Sequence, residues 1–300
     1  MFQRILVPLD GSRLAESVLP VAEYLAKCAG ATLILFHAIE RGAAETFHGE
    51  RHLAHADEAQ AYLSEVAARL RKAGLTVEQH VHDPEEADVA RSILDHATDL
   101  QSDLILLCAH GRGGLRDVLI GNIAQQVIQD GPTLVFFVRP DAMTARVGGY
   151  RCRKILVPLD ISSPHETGLP VAVQLARQCG AAVHVMTVVP TMSTLPADEA
   201  PVTVMLPTAS AAVLDLDARN ARQYLEEVTR DLVVQGLAAD GSVARGDVAS
   251  LILSTAKGQQ VDLIVLATHA RRMLGDRWEG SVAPKVLAQA AGPVLLVRED

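Results

Sequence analysis

The chain has 300 residues, 49% of them hydrophobic and 21% charged, with a formal net charge of −9. This length favours two domains, and the acidic balance argues against nucleic-acid binding, because phosphate backbones require a basic surface. There is no apolar run of roughly 18 residues to span a membrane, no signal-peptide pattern and no CxxC spacing among the four cysteines, so the sequence predicts a cytoplasmic protein.

Strands and helices are predicted to alternate through the first half of the chain. In order, the segments are strand ILVPL, helix 12–29 ended by Gly30, strand TLILFHAI, helix 52–73 ended by Gly74, strand TVEQHVH, helix 85–99, strand DLILLCA, helix 122–129 and strand TLVFFV. The strands are rich in Val, Ile and Leu without clean alternation, which is typical of parallel strands covered on both faces. The pattern predicts a doubly wound α/β sheet with helices on both faces.

The second half of the chain repeats the first. RILVPLD at 4–10 recurs as KILVPLD at 154–160, and SDLILLCAH at 102–110 matches VDLIVLATH at 261–269. A segment with Pro and paired Gly but little periodicity separates the copies. The sequence therefore predicts one α/β domain over 1–140, a linker over 141–152 and a second domain over 153–300.

Two unusual stretches fall where a ligand is expected. With a strand order of 3-2-1-4-5, the order reverses between strands one and four, and ligands lodge beyond their carboxyl ends. Asp-Gly-Ser at 10–12 follows strand one, and a glycine-rich stretch at 110–114 and Gly-Asn-Ile at 121–123 follow strand four. Small residues and a helix N-terminus offer backbone donors to phosphate. Asp10 could accept hydrogen bonds from an adenine amine or a ribose hydroxyl, so the pattern suits a nucleotide.

Each of these features also has a structural interpretation. Asn122 and its counterpart Ser281 are good helix N-caps without any ligand, and Asp10 and Asp160 could cap the first helix of each copy. The sequence lacks a complete dinucleotide fingerprint, a P-loop lysine and a GxSxG or HExxH motif. Because no nucleophile–base constellation is readable, efficient catalysis is not predicted, and slow ATP hydrolysis stays an alternative.

Together these motifs resemble the universal stress protein family in its tandem form, over nearly the whole chain. VPLDGS, a strand ending in HAI at 37–39, and CAHGRGGLRDVLIGN at 108–122 carry the resemblance. The family's nucleotide-binding members carry Gly, two residues, Gly, nine residues, then Gly and Ser or Thr. Both copies keep this spacing but not all of the residues, since copy one begins it with Cys108 and copy two has Ala267 and Ala270.

The resemblance implies a stress-response regulatory protein that binds ATP or another adenine nucleotide, with Mg²⁺ as a candidate companion. Asp10 and the backbone of Ala38 would contact adenine, Gly111 would line the ribose and phosphates, and Gly121 would hold phosphates. The implied site in copy one comprises Pro8, Leu9, Asp10, Ala38, Leu107, Cys108, His110, Gly111, Gly121, Asn122 and Ile123. A possible second site comprises Pro158, Asp160, Val188, Ala267, His269, Ala270, Gly280, Ser281 and Val282. Copy one is favoured because it keeps the glycine loop.

Three other segments carry further hypotheses. Glu45, His48, His52 and His55 share one face if their stretch is helical and could then bind Zn²⁺, the alternative being a solvated polar face. The apolar, Pro-rich segment 190–214 is a candidate lid, contact surface or packed loop, and it favours an alternative function as a nucleotide-free interaction protein. The resemblance implies that the edge strands TLVFFV and PVLLV pair the two copies as a pseudo-dimer, and two chains could associate further as a homodimer.

Overall fold

Two compact units make up the chain. In the computed structural model the first unit holds residues 1–151, 268–275 and 291–300, and the second holds 152–267 and 276–290. The C-terminal strand thus groups with the first unit, while the division at 1–140, 141–152 and 153–300 stays a prediction. The structure describes residues 2–40, 46–47, 50–51, 53, 55–83, 88–108, 121–131, 134–140, 149–161, 167–195, 205–269 and 282–299.

Strands and helices alternate through both units, as predicted. The strands are β1 (Arg4–Pro8), β2 (Thr32–Ala38), β3 (Thr46–Phe47), β4 (Glu50–Arg51), β5 (Val77–His82), β6 (Leu104–Cys108), β7 (Leu134–Val138), β8 (Lys154–Pro158), β9 (Ala182–Val189), β10 (Ala239–Arg245), β11 (Leu263–His269) and β12 (Val294–Glu299). The helices are α1 (Arg13–Glu16), α2 (Leu19–Ala29), α3 (Ala56–Lys72), α4 (Val89–Asp99), α5 (Asn122–Asp130), α6 (Gly168–Cys179), α7 (Pro207–Val234), α8 (Val248–Gly258) and α9 (Val282–Gln289).

The first unit confirms the predicted strand order. Its parallel strands run β5-β2-β1-β6-β7, which is 3-2-1-4-5 in the numbering of one copy. The last strand of the chain, β12, lies antiparallel beside β7, with Val294 opposite Phe137. This pairing gives β7 a hydrogen-bonded neighbour on its outer side, where an apolar edge would otherwise be exposed.

The second unit repeats the central part of that sheet. Its parallel strands run β10-β9-β8-β11. The middle residues of β1 and β8, 5–7 and 155–157, are completely buried. Burial of consecutive residues is expected when both faces of a parallel sheet are covered, and it confirms the doubly wound α/β fold class.

The first predicted helix is divided in two. A single helix was expected over 12–29, but α1 ends at Glu16 and α2 begins at Leu19. Pro20 lies in the first turn of α2, where its missing N–H costs no hydrogen bond, whereas it could not have sat inside a continuous helix without disrupting it. The C-terminal boundary was right, because Gly30 ends α2 in the left-handed conformation, with φ of 67°.

The metal hypothesis assumed a helix through residues 45–55, and the residues described within that stretch are not helical. Thr46–Phe47 and Glu50–Arg51 are short strands paired antiparallel, and His55 is the extended residue before α3. Thr and Phe favour strands, and the described residues between the four candidates therefore do not belong to a helix. Glu45, His48 and His52 lie outside the described residues. Within the described part of the chain, no group of three His, Cys, Asp or Glu residues is placed to hold a metal ion.

Segment 190–214 is only partly a connection. Its last residues belong to α7, which begins at Pro207 and buries Leu214 in a cluster with Val189. Leu195, near the start of the segment, packs against the same cluster. Both ends of the segment therefore lie on their own unit. Residues 196–204 lie outside the described part of the chain.

Two further findings bear on the kind of protein. Among the helices that the structure describes, none combines the length and the apolar character needed to cross a membrane. All four cysteines fall within the described ranges, and none of them forms a disulfide.

Candidate nucleotide site

The site is built at the carboxyl ends of β1 and β6, which lie side by side in the first unit. Pro8 ends β1, and the backbone N–H of Leu9 donates to the carbonyl of Phe36 over 2.8 Å. The ring Nδ1 of the buried His37 lies 2.7 Å from the Leu9 carbonyl oxygen. These bonds hold the chain after β1 against the end of β2, where Ala38 lies.

Asp10 shapes the turn that follows. Its Oδ1 accepts a hydrogen bond of 2.8 Å from the backbone N–H of Ser12, which is an Asx turn. The helix cap belongs to Ser12 and not to Asp10, because the Ser12 hydroxyl accepts from the backbone N–H of Ala15 over 3.0 Å. The structural interpretation of Asp10 as the cap of the first helix is therefore wrong, and its half-buried carboxylate lies beyond the strand end.

Gly11 cannot be replaced without strain. Its φ of +89° is a conformation that side chains rarely adopt, and a Cβ there would lie 2.7 Å from Leu53 Cδ1. Glycine thus lets the chain turn sharply past the segment that leads into α3.

Cys108, which replaces the first glycine of the family spacing, ends β6. Its Sγ lies 3.4 Å from the Ser17 hydroxyl, at the junction between α1 and α2. The sulfur is thus accommodated by the break in the first helical segment. Leu107, one residue earlier, is buried.

The N-terminus of α5 has no side-chain cap among the described residues. The helix begins at Asn122, and Gly121 is the preceding cap residue, with φ of −56° and ψ of 149°. The interpretation of Asn122 as an N-cap is therefore wrong by one position, since the Asn122 side chain is exposed and makes no capping bond. Ile123 is also exposed. The first-turn N–H groups of a helix have no partners within the helix, so they point outward from this end.

Tyr62 was missed by sequence reasoning. It lies on α3, and its hydroxyl is buried near the Glu16 carboxylate, with no hydrogen bond of standard length among the described residues. Burial raises the pKa of Tyr62, and the negative charges of Glu16 and Asp10 raise it further. The hydroxyl is therefore a protonated donor within the electrostatic reach of Asp10.

The same feature recurs in copy two. QYLEEV at 223–228 matches AYLSEV at 61–66, and the hydroxyl of Tyr224 is also buried without a hydrogen-bond partner in the part of the chain that the structure describes. A tyrosine on an amphipathic helix is ordinarily interpreted as a packing residue. The repeated tyrosine in the two copies was the signal that could have identified the pair.

Copy two keeps the backbone hydrogen bond that follows its first strand, but different side chains surround it. The N–H of Leu159 donates to the Met186 carbonyl over 2.8 Å, and the Thr187 hydroxyl, in the place of His37, donates to the Leu159 carbonyl over 3.1 Å. Ile161 stands where copy one has Gly11. An added Cβ at Gly168 would lie 3.6 Å from Ala267 Cβ, so α6 closely approaches the end of β11.

Part of each implied site can be located on the fold. The described residues of copy one lie at strand ends or at the start of α5, and those of copy two at or near strand ends or at the start of α9. They are Pro8, Leu9, Asp10, Ala38, Leu107, Cys108, Gly121, Asn122 and Ile123 in copy one, and Pro158, Asp160, Val188, Ala267, His269 and Val282 in copy two. His110, Gly111, Ala270, Gly280 and Ser281 lie outside the described residues.

Comparison with known proteins identifies similar chains for both copies. The model of the universal stress protein family matches residues 1–139 and 151–298. Universal stress protein YxiE of Bacillus subtilis (strain 168) is 26% identical over 151 residues, which are 46% of this chain and 100% of that protein. A solved universal stress protein from Archaeoglobus fulgidus DSM 4304 is 17% identical with a TM-score of 0.68, over 99% of this chain and 96% of that one. The functionally unknown protein PA1789 from Pseudomonas aeruginosa PAO1 is 19% identical with a TM-score of 0.70, over 100% and 93%. At these identities the solved structures show a shared fold.

Proposed function

The chain belongs to the universal stress protein family, as its motifs predicted, and we propose that it is a cytoplasmic stress-response regulator that binds an adenine nucleotide in copy one. The alternative with a specific observation behind it is a nucleotide-free interaction protein. The two functions differ in a property that can be measured directly, which is the presence of bound nucleotide.

The observation that carries the proposal is the start of α5. Gly121 precedes a helix of 9 residues whose first turn lacks a side-chain cap within the described chain. Unpaired N–H groups and the helix dipole together favour an anion at this end. Because the net charge of −9 opposes phosphate binding, the affinity has to come from local backbone donors such as these.

The neighbouring strand supplies groups for the rest of a nucleotide. The Asp10 carboxylate can accept from an adenine amine or a ribose hydroxyl, and the backbone of Ala38 ends the adjacent strand. The Tyr62 hydroxyl adds a buried donor that lies beside the Glu16 carboxylate and forms no hydrogen bond of standard length among the described residues. A buried polar group without a partner is costly, so a ligand acceptor at this position would remove the cost. A Mg²⁺ ion would arrive with the phosphates, since the described residues hold no metal cluster of their own.

Copy two is the weaker candidate. It carries Ala267 and Ala270 at the two upstream glycine positions of the family spacing, although it keeps Gly280 and Ser281. A Cβ at position 270 would crowd a phosphate if the backbone follows the same path. We therefore assign the nucleotide to copy one.

The alternative function rests on exposed apolar residues at the start of α7. Met205 and Leu206 are 80% and 59% exposed. Val213 and Leu216, further along the helix, are 56% and 49% exposed. Apolar side chains in this number at one helix end are typical of a contact surface. Such a surface would serve a protein partner or a second copy of the chain, beside the pseudo-dimer that the antiparallel pairing of β7 and β12 suggests.

Ligand analysis tests the proposal. We expect the purified chain to release an adenine nucleotide on denaturation, identified by mass spectrometry, or to bind ATP with Mg²⁺ in calorimetric titration. AMP and cAMP belong in the same series, because one universal stress protein has been solved in complex with cAMP. Phosphate release measured in the same samples detects slow hydrolysis.

Two matched glycines assign the site. Gly121→Val should weaken ATP binding at least tenfold, because the side chain would stand at the phosphate position. Gly280→Val makes the same change in copy two and should leave the affinity unchanged. Loss of binding in Gly280→Val alone would move the site to copy two, and absence of any bound or titrated nucleotide would refute the proposal in favour of the interaction protein.

A further inference from the structure

A polar cluster lies in the second unit, toward the amino-terminal ends of its strands, and the proposed nucleotide site does not use it. Lys154 begins β8, His184 is the third residue of β9, and Asp240 and Ser242 lie on β10. The register pairs His184 directly with Asp240. Because alternate residues of a strand share a face, Ser242 lies on the same side as Asp240.

The hydrogen bonds join three of these side chains in a line. His184 Nδ1 lies 2.8 Å from Asp240 Oδ1, and His184 Nε2 lies 2.8 Å from the Ser242 hydroxyl. The imidazole is 2% exposed, whereas Asp240 is exposed and Ser242 is half-buried. The Asp240 end of the line thus opens toward solvent, Ser242 stays partly accessible, and the ring that links them is fixed within the fold.

Lys154 and Gln259 together determine which nitrogen of the His184 ring carries the proton. The Lys154 ammonium donates to Gln259 Oε1 over 2.6 Å, so the amide NH₂ of Gln259 faces His184 Nε2, 3.1 Å away. A lysine ammonium and an amide NH₂ are donors only. His184 Nε2 is therefore the acceptor in the neutral ring, and its Nδ1–H donates to Asp240.

This tautomer sets the direction of the remaining bond. Since Nε2 is unprotonated, the Ser242 hydroxyl at 2.8 Å donates to its single lone pair, which it shares with the more distant Gln259 amide at 3.1 Å. A serine that donates to an imidazole, whose other nitrogen donates to a carboxylate, is the arrangement in which the ring can accept the serine proton. Lys154 Nζ also lies 4.0 Å from Asp240 Oδ2, which places a positive charge beside the carboxylate.

We propose that Ser242 is a nucleophile, activated by His184 and Asp240, that takes the acyl group of small activated esters. The Ser242 oxygen attacks the ester carbonyl carbon while its proton passes to His184 Nε2. The bond from that carbon to the alkoxy oxygen then breaks, and the alcohol leaves with the proton. Water attacks the acyl-serine by the same route and releases the acid and the free hydroxyl.

Copy one provides a natural comparison. The register places Ile34 opposite Glu78 where copy two has His184 opposite Asp240. An isoleucine cannot accept a proton, and Glu78 instead bonds Arg4. The geometry therefore assigns the reactivity to copy two alone, independently of any nucleotide.

The experiment uses the full chain and p-nitrophenyl acetate. We expect release of p-nitrophenol above the rate in buffer, and the added mass of one acetyl group on the peptide that contains Ser242 when the reaction is quenched with acid. Ser242→Ala should lose both signals. Ser254→Ala should keep them, because Ser254 is an exposed serine of the same unit that donates only to a backbone carbonyl.

Two variants separate activation from simple exposure of a serine. His184→Gln should slow acetylation about 100-fold, the low end of general-base catalysis. Asp240→Asn alters an exposed side chain, which keeps the fold intact, and it should also slow the reaction at least tenfold. Circular dichroism and thermal melting identify any variant that fails to fold.

Two results would overturn the proposal. The first is acetylation spread over several serines and lysines without preference for Ser242. The second is an Asp240→Asn variant, folded like the parent, that is acetylated at the parental rate. In either case the three residues would serve only as a hydrogen-bonded link between β9 and β10.

Discussion

The two copies hold the start of their first strand with the same device and differ in the side chains around it. Asp103 accepts hydrogen bonds from the backbone N–H groups of Gln3 and Arg4, and Asp262 accepts from those of Arg153 and Lys154. Each aspartate stands immediately before the fourth strand of its copy. Both therefore join the first strand to the fourth, which keeps the frame of the sheet constant.

The side chains beside that frame have diverged. In copy one Arg4 forms a two-pronged ion pair with Glu78, at 3.0 and 2.6 Å. In copy two the equivalent Lys154 reaches Gln259 instead, and this leaves Asp240 to bond His184. The two copies thus keep the hydrogen bonds that satisfy the backbone N–H groups at the start of the first strand. The side-chain bonds beside those groups differ between the copies.

Removal of the shared aspartates should have the largest effect on stability. Asp262→Ala leaves the N–H groups of Arg153 and Lys154 without their acceptor, and Asp262 is buried. Unsatisfied polar groups of this kind cost about 1–3 kcal/mol each when fully buried, so we expect a loss of about 2–3 kcal/mol. Denaturant unfolding of the full chain, followed by circular dichroism, measures the change.

Asp103→Ala is the matched variant in copy one. Asp103 is exposed, so water can replace part of what the carboxylate supplies, and the loss should be about half as large or less. Equal losses for the two variants would show that burial does not distinguish the two copies at this position.

The regular parts of the fold could be predicted from sequence because they depend on local signals. Apolar runs located β1 and β6, and Gly30 marked the end of α2. The break between α1 and α2 was missed although Pro20 signals it, because the apolar pattern continues on both sides of the proline. The grouping of β12 with the first unit could not be predicted in this way. It depends on pairing with β7, more than 150 residues earlier in the chain, which no local pattern encodes.

The candidate site was predictable only where a motif carries it. Asp10, which follows β1, and Gly121, which precedes α5, were found by position, but the uncapped geometry of Gly121 required the structure. Asp240 and Ser242 lie in ADGSVAR, which lacks a strong strand pattern, and His184 is 56 residues before Asp240. Only the strand register brings those three together, so sequence reasoning found no nucleophile and base.

The paired tyrosines sharpen the comparison at the nucleotide site. Tyr62→Phe should change stability little, because it removes a buried hydroxyl that forms no hydrogen bond of standard length among the described residues. If that hydroxyl donates to the nucleotide, ATP affinity should fall roughly 3- to 10-fold, or about 1 kcal/mol. Calorimetric titration and thermal melting of the same samples separate the two effects.

Tyr224→Phe makes the identical change in copy two. We expect the same effect on melting and no effect on ATP affinity, since copy one is the proposed site. A decrease in affinity for Tyr224→Phe without one for Tyr62→Phe would contradict that assignment.

The smallest expected effect concerns the close ion pair of copy one, whose equivalent in copy two, Lys154–Asp240, is 4.0 Å long. The hydrogen bond from Arg4 holds the pKa of Glu78 below its usual 4.5. Because the folded-state pKa is the lower one, the stabilisation is fully present above the unfolded value and is lost as pH falls through the folded value. Both side chains are partly exposed, so solvent screening limits the contribution to less than about 1 kcal/mol.

Glu78→Gln should therefore lower stability slightly at pH 7 and reduce the loss of stability between about pH 5 and 3. Glu65→Gln, at an exposed position of α3, controls for the removal of one negative charge. Urea unfolding at a series of pH values checks both variants. A Glu78→Gln curve parallel to the parent over this range would mean that the ion pair contributes nothing in solution, and that its lengthening to 4.0 Å in copy two had no energetic cost to compensate.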